Sequence, residues 1–189
     1  MSTFDLIRQR RSIRKFQQKK LDRAQLGKML DAARLAPSAS NLQPLKYVIV
    51  DEEGKVAQFF KYVKWAGYIA PDGNPGIGEE PVAYIVILAD TQVRKTGYEL
   101  DAGAAAQNIF LTALEEGIGS CWIFSVDRDA VRKLLNIPDR YEINSVTALG
   151  YPAESPVMED ENGSIRYYKD GAGVLHVPKR KLDDVILKL

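Results

Sequence analysis

Cysteine and histidine occur once each in 189 residues, as Cys121 and His176. A lone thiol excludes an internal disulfide framework and a cysteine-cluster metal site, and it fits a reducing compartment. Zinc, which usually takes several Cys or His ligands, has almost nothing to bind, and no carboxylate spacing marks a hard-cation site. Charge of one sign is equally scarce. With 26 basic against 25 acidic residues, a net of +1, no global field recruits nucleic acid or an acidic membrane. Any anion site must be local. No apolar run approaches a membrane span, and the N-terminal MSTFDLIRQRRS puts charge where a secretory signal needs an apolar core. The expectation is a soluble, cytoplasmic protein. What is plentiful is apolar character, 46% of the chain, enough to give one domain over residues 1–189 a real core.

The local signals alternate. Ser2-Thr3 caps a short helix through Phe4, Leu6 and Ile7, which runs into a basic loop from Arg8 to Lys15. Asp22 and Gln25 form a capping box stapled by Leu21 and Leu26, and Leu26, Met29, Leu30 and Ala33 predict a helix that Pro37 stops. Pro37 to Pro44 is a loop of turn-formers and amides. Tyr47–Val50 and Tyr84–Leu88 read as strands buried on both faces, with an irregular excursion at 61–81 of the kind that covers a pocket. Leu100 to Glu116 is a helix rich in small residues, ended by Gly117. Ser120–Phe124 is a strand, Asp127 caps a further helix, and Val146–Leu149 is another strand. The alternation predicts an α/β or α+β sandwich. Residues 152–189 read as a polar tail without period until Leu182 to Leu187, and an apolar end of that kind needs another surface.

Several clusters carry chemistry, each with a plain alternative. Arg10-Arg11-Ser12-x-Arg14 suits a phosphate because guanidinium forks match its oxygens, but it also fits a solvated basic turn. Lys179-Arg180-Lys181 is open to the same two readings. The hydroxyls and amides of Ser38 to Gln43 suit the edge of a heteroaromatic ring or an ordinary polar turn. Gly117-Ile118-Gly119 follows a helix and precedes a strand, the reverse of a dinucleotide fingerprint. Cys121, among apolar neighbours, reads as a strand residue. A hydrolase built on Ser38 or Ser40 with His176 and an Asp lacks a nucleophile elbow.

Taken in order, RRSIRKF at 10–16, PSASNLQP at 37–44, GIGSCWI at 117–123, GYPAE at 150–154 and HVPKR at 176–180 closely resemble the nitroreductase family, along nearly the whole chain. The resemblance implies a three-layer α-β-α sandwich of α+β class forming an intertwined homodimer, with the 152–189 tail packed on the partner and two FMN sites built from both chains. It implies that Arg10, Ser12, Lys179 and Arg180 hold the FMN phosphate with Arg11 beside them, and that Arg14 lies near the pyrimidine edge. Pro37, Ser38, Ser40, Asn41 and Gln43 would reach across from the partner or flank the ring. Gln107 would face the pocket, and Trp122, Ile123, Phe124 and Ser125 would run along the flavin edge, offering backbone N–H groups. Two positions depart from the family pattern. Leu45 replaces a common aromatic residue, and Phe124 replaces a common glycine, narrowing access to N5. The implied activity is ping-pong hydride transfer from NADH or NADPH through FMN to a nitroaromatic, quinone or similar small acceptor, with no catalytic side chain of its own. A flavin-fragmenting or dehalogenating enzyme on the same scaffold and a non-catalytic flavin-binding protein are the alternatives.

Overall fold

The computed structural model describes residues 1–187. Four strands form its central sheet: β1 (Leu45–Val50), β2 (Ala83–Asp90), β3 (Gly119–Ile123) and β4 (Tyr141–Gly150), in the order β1-β2-β4-β3 and antiparallel throughout. β2 shows why the sheet is buried on both faces. Its odd residues Ala83, Ile85 and Ile87 enter one apolar cluster, and Tyr84, Val86 and Leu88 enter the other, the period of two expected of a pleated strand.

The helices divide by those clusters. On one face lie α2 (Arg23–Arg34), through Leu26, Met29 and Ala33, and α4 (Tyr98–Glu115), through Ala102, Ala105, Ala106 and Ile109. α3 (Glu53–Phe60) and α5 (Arg128–Leu135) cover the other with Val56, Phe59 and Val131. Three layers result, in agreement with the α+β sandwich expected. The small residues of α4 let it sit close on the sheet, since alanine keeps the backbones near without a void. The expected caps are present: Ser2 with Asp5 heads α1 (Thr3–Gln9), Asp22 with Gln25 heads α2, and Asp127 accepts from the Ala130 N–H ahead of α5.

A bulge lengthens β4 beyond the Val146–Leu149 strand expected. The β2 partner shifts between Ile87 and Leu88, so Asn144 stands extra and both Ile143 and Val146 face the same cluster. The carbonyls this exposes are not left bare, because Arg128 donates to Ile143 O at 2.9 Å and Asn144 O at 3.0 Å.

Two elements were not expected. α3 occupies Glu53–Phe60, where the sequence pattern predicts no element, and the polar tail folds into a second sheet of β5 (Val157–Asp160), β6 (Tyr168–Lys169) and β7 (Leu175–Lys179), ordered β5-β7-β6 and followed by α6 (Leu182–Val185). Polar contacts knit this sheet together. His176 on β7 lies 2.8 Å from Glu159 through Nδ1 and 3.2 Å from Asp170 through Nε2, and Tyr168 stacks on its ring. Within the chain the sheet docks on the 61–81 excursion: Tyr167 packs on Tyr68, and Lys169 Nζ donates to Asp72 O at 2.6 Å. Among the described residues, no helix is long and apolar enough to cross a membrane.

Candidate functional site

The basic segment after α1 is not a solvated turn. Ile13 and Phe16 are buried, Ser12 bridges Ser120 of β3, and Phe16 bridges Pro152. Two glycines make the approach possible. A Cβ on Gly119 would lie 2.8 Å from Ile13, and one on Gly150 would lie 2.9 Å from Phe16. Anchored at 13 and 16, the segment turns Arg10, Arg11 and Arg14 in fixed directions along the ends of β3 and β4. Glu154 sets the backbone between them, accepting from the N–H groups of Arg14 at 2.5 Å and Lys15 at 3.3 Å. The GYPAE motif signalled Glu154, but its role needed the fold.

The first cavity gathers Arg10, Arg11, Gln9, Leu114, Gly119 and Ser155. The Arg10 guanidinium lies over the Phe110 ring at 5.8 Å, and burial holds it below the ordinary arginine range. Arg11 is lowered by burial and then by the charge of Arg10; its terminal nitrogens donate to the Arg8 and Arg10 carbonyls, and its buried Nε has no partner. Lys179, at the end of β7, is lowered by desolvation and then by Arg11 and Arg10 in turn. Lys179 is exposed and is not part of the cavity wall, but it lies close enough to Arg10 and Arg11 to feel their charge, and among the described residues none of the three has a carboxylate within salt-bridge distance. Glu154 is on the same cavity wall, but its carboxylate is engaged by the Arg14 and Lys15 N–H groups; like charges with no salt-bridging carboxylate, beside an orphaned donor, suit an anion. Arg180 is exposed and is not on the wall of this cavity.

The adjoining cavity is lined by Arg14, Trp65, Trp122, Phe124, Ser125 and Tyr167, among others. Trp122 is fixed from two sides, its Nε1 donating to Ser145 Oγ at 2.8 Å and its ring meeting Phe110 edge-on. Phe124 packs on Trp122 at 4.6 Å and is about half exposed at 51%, so it forms part of the cavity wall. Ile123 is buried in the core, and Ser125 is exposed, its carbonyl accepting from the Lys64 N–H. β3 is an edge strand, and beyond the bridge at Ser120 no strand pairs with its outer side among the described residues. The outward backbone groups of β3, alternate residues that include Trp122, are thus free on that side. Arg14 reaches the Tyr167 ring at 5.3 Å, a contact that sequence reasoning missed because Tyr167 belongs to the tail. The indole Nε1 of Trp65 is buried without a partner.

The loop 37–43 lies elsewhere. Pro37, Ser38 and Gln43 line a separate cavity beside Asp101 at the start of α4, while Ser40 and Asn41 are exposed. Gln107 sits exposed on α4 and lines none of these cavities. The structure therefore brings together residues 10–14 and 122–125, with Lys179 near Arg10 and Arg11, and separates them from 37–43 within one chain. It also dismantles the hydrolase alternative, because Ser38 Oγ donates to Asp101 at 2.7 Å while His176 is engaged by Glu159 and Asp170 in the tail sheet. Cys121 is buried, and burial pushes its thiol upward, which suits a strand residue and not a nucleophile. Among the described residues, no group of three or more His, Cys, Asp or Glu could hold a metal ion.

Comparison with known proteins places these features in a family. The model of the nitroreductase family matches residues 7–151. An Archaeoglobus fulgidus protein provisionally named NADH dehydrogenase/NAD(P)H nitroreductase is 35% identical over 159 residues, covering 79% of this chain and 84% of the relative. The solved structure of an FMN-dependent nitroreductase from Clostridium difficile R20291 is 28% identical with a TM-score of 0.69, covering 85% of this chain and 92% of its own. A provisional nitroreductase from Desulfovibrio desulfuricans, solved in complex with FMN, shares the fold at TM-score 0.72 and 21% identity, covering 100% of this chain and 97% of its own.

Proposed function

This chain belongs to the nitroreductase family, and we propose that it is an FMN-dependent NAD(P)H oxidoreductase that passes electrons to a nitroaromatic, quinone or similar small acceptor by a ping-pong cycle. The carrying observation is the pairing of Arg10 and Arg11 on one cavity wall, with Lys179 near them and no salt-bridging carboxylate, next to the exposed edge of β3 and Arg14.

The residues fit FMN. A phosphate monoester would satisfy the Arg11 Nε orphan and relieve the mutual repulsion of the three cations, with Ser12 within the same segment and Arg180 one residue beyond Lys179. Bound there, FMN supplies the group that accepts and returns hydride. The protein's part is orientation and electrostatics. Arg10 and Arg11, with Lys179 near them, would fix the phosphate end, and the open edge of β3 would offer the outward backbone N–H of Trp122 to a ring along it, with Phe124 and Ser125 following it. Arg14 places positive charge at that ring and favours its reduced, anionic form. Trp122, locked by Ser145 and Phe110, and Phe124 build the wall that orients a flat acceptor and excludes water.

The two adjoining cavities, at about 240 and 200 Å³, are each below the roughly 300–1,000 Å³ of sites that bury a small ligand. That size, together with the displaced 37–43 loop, supports a site completed by a second chain in a homodimer. Residues 1–189 act as one unit in this scheme, the apolar side chains of 182–187 pack on the partner, and a nicotinamide donor places the enzyme in the cytoplasm.

The test is direct. Purified protein should carry one flavin per chain, released on denaturation as FMN, and anaerobic NADH or NADPH should bleach it at catalytic rates. Release of FAD, failure to take up flavin on reconstitution, or a yellow protein that neither nucleotide reduces overturns the proposal.

A further inference from the structure

The outward loop of residues 38–43 is held in a costly conformation. Ser40, Asn41 and Gln43 all adopt left-handed backbone angles, with φ of 53°, 55° and 50°. Residues bearing a Cβ pay for that region, and three within four positions persist only where the surroundings over-determine them. None of the three side chains is buried, so burial of the loop's own residues does not hold it.

What holds it is a buried carboxylate on α4. Asp101 is only 5% exposed. Its Oδ2 accepts from Ser38 Oγ at 2.7 Å, and its Oδ1 accepts from the Ala39 N–H at 3.3 Å. Ser38 Oγ in turn accepts from the Gln43 N–H at 3.0 Å, closing the loop across its base. On the far side Arg94 Nη1 lies 3.5 Å from Asp101 Oδ1 and has no hydrogen-bond partner among the described residues. Arg94 is steered there by its Nε, which donates to Thr96 O at 2.8 Å, and by Gly97, where a Cβ would stand 2.6 Å from the guanidinium. A connected path runs Arg94, Asp101, Ser38, Gln43. Its buried end is charged and its outer end is the strained loop.

We propose that Asp101, acting through Ser38, is the positioning residue that presets the 38–43 loop for the flavin ring. The inference rests on the reading above, in which this loop completes the flavin site of the partner chain. It also reassigns Ser38, whose hydroxyl proton is committed to Asp101 and whose lone pair is committed to Gln43, so Ser38 shapes the loop and Ser40, Asn41 and Gln43 are left to meet the ring. Preordering matters because a loop that must be ordered on binding spends affinity on lost freedom.

The experiment compares Asp101→Asn, Ser38→Ala and Ser38→Thr in the full-length dimer, using FMN and riboflavin as probes by fluorescence quenching together with amide exchange. Asp101→Asn and Ser38→Ala should each weaken both flavins by about 5- to 30-fold and speed exchange at Gln43. Their double variant should be no weaker than the worse single one, because both break one path. Ser38→Thr keeps the hydroxyl and should restore affinity. Equal losses for FMN and riboflavin assign the effect to the ring end, since riboflavin lacks the phosphate. Unchanged exchange across 38–43 in both Asp101→Asn and Ser38→Ala refutes the clamp itself. Faster exchange with both flavin affinities intact shows instead that the loop does not meet the ring, and the proposal falls with that part of the functional reading. Loss of affinity in Asp101→Asn alone, with a lower melting temperature and Ser38→Ala unaffected, assigns Asp101 a general structural role and overturns the proposal.

Discussion

Replacing Arg10 with Met should move flavin affinity and flavin-free stability in opposite directions. Arg10 sits largely buried over Phe110, and burial already holds its guanidinium below the ordinary range. Its cationic neighbours are Arg11 and Lys179, and Glu154 on the same cavity wall is engaged by the Arg14 and Lys15 N–H groups. At an effective dielectric near 20, two like charges about 8 Å apart repel by roughly 2 kcal/mol, and salt screening removes part of that. Met keeps the apolar packing on Phe110 and forfeits a cation–π contact of roughly 0.5–1 kcal/mol. The net expectation is a flavin-free protein more stable by about 1 kcal/mol, a rise of about 2–4 °C in melting temperature for a chain of this size.

Flavin binding should go the other way. A charge-assisted hydrogen bond to phosphate is worth roughly 1.5–3 kcal/mol, so FMN affinity should fall by about 10- to 150-fold. Riboflavin, without phosphate, should bind the variant as it binds the native chain. Calorimetric scans of flavin-free protein and flavin fluorescence titrations give both quantities. A variant that binds FMN within twofold of the native protein, or that melts lower without flavin, would refute the claim that these cations are held together for an anion.

Arg14→Met should lower the flavin reduction potential by roughly 30–60 mV, the equivalent of about 1.5–3 kcal/mol for a two-electron couple, while weakening FMN binding less than Arg10→Met does; redox titration reads this, and an unmoved potential would make Arg14 a second phosphate ligand. Tyr84→Phe should stabilise the protein by about 1–2 kcal/mol, because the Tyr84 hydroxyl is fully buried without a partner; a lower denaturant midpoint would mean that a water or another group satisfies it. His176 is raised by its hydrogen bond to Glu159 and then by that to Asp170, so protonation in the folded tail outlasts protonation in the unfolded one. Its contribution is complete below the ordinary histidine value near 6.5 and is lost as pH climbs through the raised one, so amide exchange across β5 and β7 should accelerate over that interval and not in His176→Gln.

Most of the central sheet and its covering helices were legible because burial on both faces writes a strong pattern. β2 is apolar along its length, and the α4 alanines are dense enough to mark close packing. The tail sheet was not legible because it has no such core: Val157, Met158 and Tyr168 are exposed, β6 is two residues long, and the sheet is joined by His176, Glu159 and Asp170. Polar pairs across strands leave no period for a sequence to show. At the site, the basic run could not by itself separate a solvated turn from an anion cradle. Burial of Ile13 and Phe16 decided it. Asp101 was invisible for another reason: an acidic residue in a first helical turn reads as a partner for the helix dipole.

The separation of the two half-sites along α4 yields the sharpest test of the assembly. The phosphate cations lie beside Phe110 and Leu114, and the loop is pinned to Asp101, about 14 to 20 Å away along the helix at 1.5 Å per residue. Within one chain the two also line separate cavities that share no residue. On its uncovered side α4 carries Leu100, 79% exposed, and Gln107, with the half-buried Gly103 and Ala104 between them. A second α4 packed there antiparallel about a two-fold axis would bring the loop of one chain to the cations of the other, and do so twice. Co-expressing an Arg10→Met chain with an Asn41→Ala chain, each carrying a different tag, then gives hybrid dimers with unequal sites. One site takes its cations from the Arg10→Met chain and its loop from the Asn41→Ala chain, and so carries both defects; the other combines native Arg10 of the second chain with native Asn41 of the first. Doubly tagged hybrids should therefore bind half of their flavin with native affinity, although neither parent homodimer binds any that tightly. Hybrids with no native-affinity site, one site weakened as in each parent homodimer, would show that each flavin is held within a single chain.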